Sequence, residues 1–226
     1  MPQLVPAIRK SLAILQDEGL RSLLGRALKR LWGREVVLFL EYDLRRPPPP
    51  RPPRVEVVFS WADAGKLGPL EGPDFDFSPQ AIQEARDRLQ RGDRCLIGYS
   101  GGSPACSLWV TFSLRELPGL RWPVGPGHAY LYKTFTLARF RGQGLNQAGL
   151  VALLLGCREL GMRRAFIDVS RANVASVAAI RKAGFIDAGR FHIWHFGRRR
   201  FARVGRKLYR RVARAAASEP SESCCA

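Results

Sequence analysis

The residues with the most chemical content run from Thr134 to Asn146, TFTLARFRGQGLN. A β-rich run from His128 to Ala138 leads into Gly142-Gln143-Gly144, and the apolar stretch from Leu145 to Leu160 reads as a buried helix. Two glycines without a Cβ let the backbone turn sharply and bring its N–H groups close to an anion. The first turn of the helix adds unpaired N–H donors and a partial positive charge. Arg139 and Arg141 supply full charges beside it. Such a strand–turn–helix makes a cradle for a pyrophosphate. No Gly-Lys-Ser/Thr follows, so it is not a P-loop.

A second segment lies about thirty residues on. Phe166-Ile-Asp-Val-Ser-Arg-Ala-Asn173 reads as a strand ending at a helix cap, followed by Ser176 and then Arg181-Lys-Ala-Gly-Phe185. Asn173 is a good N-cap and Gly184 a good left-handed stop. Together the segments resemble the GCN5-related N-acetyltransferase (GNAT) superfamily. Its R-G-x-G-x-G/A pattern is matched by Arg141, Gly142, Gln143, Gly144, Leu145 and Asn146, except that Asn146 stands where Gly or Ala is usual. Its later N-x-x-A/S…G-F segment is matched by Asn173, Ser176, Gly184 and Phe185. The resemblance covers roughly residues 55–197.

This resemblance implies a mixed α/β (α+β) fold, with a mostly antiparallel twisted sheet, splayed central strands and flanking helices. It implies acetyl-CoA or another acyl-CoA as co-substrate. The pyrophosphate would lie on the amides of residues 142–146, the acyl carbonyl against the backbone near Phe135 and Thr136, and Asn173 would reach the pantetheine or the reacting end. No metal is implied.

Acyl transfer to an amine requires the amine to lose a proton, since its pKa lies near 10. Some family members place a carboxylate where this chain has Asp168, which is therefore the candidate base; otherwise it organises the turn that follows. His128, His192, Tyr130 and Tyr132 are further titratable or polar candidates, each also accountable as packing. Many members carry a tyrosine that protonates the leaving thiolate. Ile180 stands there, and isoleucine cannot do this.

The elements that must position these groups follow from periodicity and punctuation. Residues 1–44 read as a basic helical arm ending in a strand, with Leu20, Leu23, Leu24, Ala27, Leu28, Leu31 and Trp32 on one helical face. Residues 45–54, almost all Arg and Pro, read as an extended polyproline spacer. Residues 55–197 hold strands at 55–61, 94–99, 105–112 and 164–169. A helix opens at Ser78-Pro79, and two short strands read at 186–188 and 191–196. Ser100-Gly-Gly-Ser103 reads as a hairpin turn of four to five residues. Residues 198–226 read as a basic helix and disordered tail, with Phe201, Val204, Leu208, Val212 and Ala215 giving a helical face.

The 226 residues carry 37 Lys+Arg against 19 Asp+Glu, a net charge of +18, so the surface attracts anions. Isolated Cys95, Cys106 and Cys157, no C-x-x-C pair and few His argue against a structural zinc or a disulfide framework. No run approaches a membrane span and no signal-peptide pattern opens the chain. These features read as a cytoplasmic protein, with a basic arm and tail that suit the inner membrane surface or an acidic protein such as an acyl carrier protein. The acceptor amine is unknown. Two other classes stay open: a catalytically weak CoA-binding module, and a nucleic-acid- or ribosome-associated protein. The last has charge for it, but no aromatic-interleaved RNA motif.

Overall fold

A computed structural model describes residues 32–63, 79–118, 120–197, 199–206, 208 and 209. The helical arm expected over residues 1–31, the cap Ser78, and residues 210–226 fall outside the described residues; Trp32, read as the end of the arm's helical face, instead opens a strand.

Among the described residues the strands are β1 (Trp32–Asp43), β2 (Val58–Trp61), β3 (Arg94–Ser100), β4 (Ser103–Thr111), β5 (Leu114–Leu117), β6 (Leu120–Pro123), β7 (His128–Thr136), β8 (Arg164–Ser170), β9 (Ile186–Phe196) and β10 (Arg199–Arg203). The helices are α1 (Pro79–Gln90), α2 (Leu145–Glu159) and α3 (Val174–Lys182). Eight strands form one sheet in the order β10-β9-β1-β8-β7-β4-β3-β2, and β5 and β6 form a separate hairpin. Only β7 and β8 pair in parallel, a connection made by α2. The expected mixed, mostly antiparallel α/β sheet is therefore what the chain forms.

Alternation along the strands divides the core. One face packs Leu108, Leu131 and Ile167 against Leu150 and Leu154 of α2 and Ile180 of α3. On the other face, Cys95, Ile97 and Trp109 meet Ile82 and Ala85 of α1. Farther along that face the β5–β6 hairpin lays Leu117 and Trp122 over Phe39, Tyr130 and Phe166. Trp122 and Phe166 stack on either side of Phe39, with ring centroids at 5.3 and 5.4 Å. Helices thus cover both faces.

Four local features differ from expectation. Residues 186–196 are one strand, β9, because Gly189 at φ +156°, a conformation open to glycine and rarely taken by other residues, carries it through a register shift. The turn at Ser100–Ser103 is tighter than read, since Gly101 and Gly102 both take positive φ and Ser100 pairs with Ser103. Residues 199–203 form β10 along β9 rather than a helix turn; Phe201 stacks on Phe196 at 5.4 Å across the pair. The β5–β6 hairpin was not foreseen.

The larger difference concerns β1. Read as the end of an arm, it lies inside the sheet, antiparallel to β8 on one side and β9 on the other. Phe39 and Leu40 are fully buried. The next strand, β2, lies at the opposite edge. Residues 44–57 must therefore cross β8, β7, β4 and β3. Five strand spacings amount to about 24 Å, well within the roughly 3 Å per residue of a polyproline run. The Arg/Pro segment is this crossing. It is anchored as it goes: the Tyr42 hydroxyl donates to the Arg46 carbonyl at 3.4 Å, Arg51 Nε donates to the Lys182 carbonyl at 2.9 Å, and the Arg54 amide donates to the Gln143 carbonyl at 2.9 Å.

Candidate functional site

The site begins where β7 and β8 part. Their pairing runs from His128↔Arg164 to Leu131↔Ile167 and stops. On the other side β7 stays paired with β4 but gains a residue: Tyr132 faces Trp109 and Phe135 faces Ser107, so Lys133 and Thr134 together oppose Leu108. Lys133 has φ +46°, a left-handed conformation strained for a lysine. This bulge bends β7 away from β8, and residues 132–136 have no strand on the β8 side.

A cleft of about 790 Å³ opens there. Its lining brings together Phe135, Thr136, Arg141, Gly142, Gln143, Gly144, Leu145, Asn146 and Asn173, the complete set expected to contact a cofactor. Gly142 and Gly144 have φ +76° and +84°, and a Cβ added at Gly142 would meet nothing within 4 Å. Gly144 is the N-cap of α2, with no side-chain cap, so the first-turn amides of α2 are left to a ligand. Arg141 is steadied by its Nε donating to the Thr136 carbonyl at 3.2 Å, and Gln143 by its Nε2 donating to the Arg139 carbonyl at 3.1 Å. Gln143 Oε1 is buried without a hydrogen-bond partner, an acceptor suited to a hydroxyl or amide donor on a ligand. Among the described lining residues none is acidic, while Arg54, Arg141 and Lys182 are basic. Glycines at left-handed φ, uncapped amides and unopposed cations fit a pyrophosphate.

Asn173 does two things. Its Oδ1 accepts from the Ser176 amide at 3.2 Å, capping α3, and the residue lines the cleft. Arg139 instead lies over the Phe140 ring at 5.1 Å and does not line the cleft. Ile180 is 3% exposed in the core, so α3 offers no phenol at that position; Ser176 is its hydroxyl on the cleft.

Asp168 lies just beyond the last β7–β8 pair. Its Oδ1 accepts from Tyr130 Oη at 3.0 Å and from Arg115 Nε and Nη2 at 3.3 and 3.2 Å. Burial, then the Asp168 charge, pushes the Tyr130 hydroxyl well above its ordinary range, so it remains a donor. Burial alone would lower Arg115, but Asp168 more than offsets this and keeps the guanidinium charged. Asp168 lines neither the cleft above nor the one described next.

On the other side of the bulge a second cleft, of about 610 Å³, is lined by Tyr132 and Lys133 of β7, Arg115, Arg121, and Arg88, Arg91 and Asp93 from the end of α1. Tyr132 Oη donates to Asp93, and burial followed by that bond raises its pKa. Arg88 lies over Trp109 at 5.5 Å and Tyr132 at 5.9 Å. Asp93, Arg88 and Arg115 were not anticipated; they come from segments far apart in the chain, and no local pattern joins them. His128 is buried, edge-on to Phe166 at 5.3 Å, and His192 is held below its ordinary pKa by burial and then by Arg34. Neither lines these clefts. Among the described residues no group of three His, Cys, Asp or Glu is placed to hold a metal ion. Nor is any described helix long and apolar enough to cross a membrane.

The profile of the family described as "Acetyltransferase (GNAT) family" matches residues 69–185. No curated protein matches the chain. Among solved structures, a GNAT-family acetyltransferase from Colwellia psychrerythraea is 16% identical with a TM-score of 0.54, covering 80% of this chain and 63% of that one. A GCN5-related N-acetyltransferase from Sphaerobacter thermophilus is 13% identical with a TM-score of 0.52, covering 83% and 58%. The GCN5-related glucosamine N-acetyltransferase region of a fungal multi-domain GH3 β-N-acetylglucosaminidase is 14% identical with a TM-score of 0.57, covering 80% and 23%. The matches thus span less than two thirds of these structures, and at such identities they speak to the fold.

Proposed function

The chain belongs to the GNAT acetyltransferase family, and on that footing we propose that it transfers an acyl group, most simply acetyl, from acyl-CoA to a primary amine. The observation that carries this reading is the bulge at Lys133–Thr134, because two clefts meet there on one strand. The donor occupies the glycine-lined cleft and the amine enters from the other.

Each residue has a defined task. The amides of 142–146, with Arg141, hold the pyrophosphate. The Phe135–Thr136 backbone, paired with β4 but left open by the splay on the β8 side, receives the acyl carbonyl and fixes it for attack. Asn173 turns its amide nitrogen to the pantetheine. The donor itself supplies an activated thioester. Transfer forms a C–N bond and breaks the C–S bond; the amine gives up a proton and the thiolate leaves. Asp168 is the proton acceptor indicated by its position at the end of β8. A second assignment is favoured by a specific observation: Asp93 lines the second cleft and Asp168 does not. In that case Asp168 is a positioning residue that holds Arg115 and Tyr130 under the bulge. With Ile180 in the core, the thiolate departs unprotonated or takes its proton from water.

The experiment is in two steps on the full chain. Acetyl-CoA is titrated calorimetrically, and thiol release is then followed across a panel of amines. Binding with amine-dependent release supports the proposal. Binding with no release for any amine would leave a CoA-binding module, and absence of binding would overturn the donor assignment.

A further inference from the structure

The Arg/Pro crossing is a wall of the donor cleft. Pro52 and Arg54 line it, beside the glycine turn. The Arg54 amide is bonded to the Gln143 carbonyl, and a Cβ on Gly144 would meet Pro53 Cα at 3.5 Å. The preceding residues are fixed against the end of α3. Arg51 donates to the Lys182 carbonyl, and Pro49 lies where a Cβ on Gly184 would approach its Cδ at 3.3 Å. Six prolines between 47 and 53 restrict φ, and two hydrogen bonds hold their flanks, so the position of Arg54 is set before any ligand arrives. Lys182 lines the same cleft from the end of α3. The carbonyls at a helix C-terminus would repel an anion, but Arg51 donates to the Lys182 carbonyl there and Lys182 adds its own charge, while Arg181 is paired with Asp187 at 2.8 Å.

The cleft therefore holds more positive charge than one pyrophosphate needs. The amides of residues 142–146 and Arg141 already answer the pyrophosphate. Arg54 and Lys182 are two further cations on its lining, with no acidic residue among the described lining. CoA carries one other phosphate, on the ribose 3′ oxygen. Resting on the donor assignment above, we propose that Arg54 of the proline-rich crossing, together with Lys182, binds that 3′-phosphate. The pair would then make the enzyme select donors bearing the complete nucleotide over donors bearing phosphopantetheine alone. Such selection disfavours an acyl carrier protein as donor, although the surface charge suits an acidic protein.

The test uses calorimetric titration of the full chain with CoA and with 3′-dephospho-CoA, which differ only in this phosphate. Charge-assisted hydrogen bonds of this kind predict a preference for CoA of about tenfold to a hundredfold. Arg54→Gln and Lys182→Gln should each lower CoA affinity while leaving 3′-dephospho-CoA affinity unchanged, and the double variant should bring the ratio to about one. Arg199→Gln, an equally exposed charge on β10, should leave the ratio as it is; a drop equal to that of Arg54→Gln would mean general charge attraction and would overturn the assignment. Equal binding of both ligands by the unaltered chain overturns it too, with the donor assignment intact. So does a ratio that survives in the double variant. Failure of both ligands to bind refutes the donor assignment itself.

Discussion

The two clefts that meet at the β7 bulge are made of different materials. The donor cleft is mostly backbone: two glycines at left-handed φ, the first turn of α2, and an abandoned strand edge. Its geometry is fixed by the fold, and its charges stand at the rim. The second cleft is mostly side chain. Arg88, Arg91, Arg115, Arg121 and Lys133 crowd it, held by rings and carboxylates. A backbone site recognises a group common to every donor, whereas a side-chain site is free to change with the acceptor. On the proposed assignment, that contrast in construction matches a constant donor and a variable acceptor.

The largest effect should come from breaking the backbone site. Gly144→Val places a β-branched residue at φ +84° and drives its branches against the crossing at Pro53. CoA affinity should fall by more than about a hundredfold, measured calorimetrically on a variant whose circular dichroism is unchanged. Unaltered affinity would remove the pyrophosphate from this turn. Next comes the proton acceptor. Asp168→Asn or Asp93→Asn, whichever removes the base, should lower turnover near neutral pH by about 10²–10⁴-fold with CoA affinity unmoved. If both stay within twofold of the parent, neither carboxylate takes the proton.

A smaller effect is expected at Arg115, from stability rather than donor binding. Arg115→Met leaves the largely buried Asp168 carboxylate without its cation. Chemical denaturation should register a loss of about 1–3 kcal/mol, while CoA binding stays as before. A matching loss of CoA affinity would erase the contrast between the clefts. The smallest lies at the root of the crossing. Hydrogen bonding from Arg45 holds the Asp43 carboxyl down at about 2, and the pair meets at 2.7 Å. A depressed carboxylate stabilises the fold above its unfolded pKa, near 4, and that contribution is lost as pH falls towards 2. Acid titration of the unfolding midpoint should show a shallow drop over that window, flattened in Asp43→Asn.

What could be read from the chain and what could not follows the same divide. The turn at 141–146, the cap Asn173 and the stop Gly184 are local signals, each decided by residues within a few positions, and the structure gathers all nine expected cofactor contacts in one cleft. The α2 and α3 helices were legible for the same reason. The second cleft is assembled from residues 88–93, 111–116, 121 and 132–133, which share no pattern along the chain. Residues 35–41 carried a strand signal, but nothing local says that a strand before a proline run belongs between β8 and β9. The prolines themselves suggested a spacer, because composition reports stiffness and not destination. At 199–203 the spacing of Phe201 and Val204 suited a helix, and pairing with β9 outweighed it.

The placement of β1 has a consequence for how the molecule is made. It is the first described strand to be synthesised, yet its partners are residues 164–170 and 186–196. Until those emerge, Val37, Phe39 and Leu40 have no sheet to enter, and the strand waits with apolar groups and both backbone edges exposed. The sheet therefore closes late, in a step joining the early and late portions of the chain at high contact order. Once closed, it has no detachable half: opening β9 uncovers β1, and opening β1 uncovers the β8 strand that ends at the splay. Amide exchange in β1 should accordingly proceed with that of β8 and β9 as one cooperative unit, so integrity of the splay is tied to β1 and β9, which line neither of its clefts.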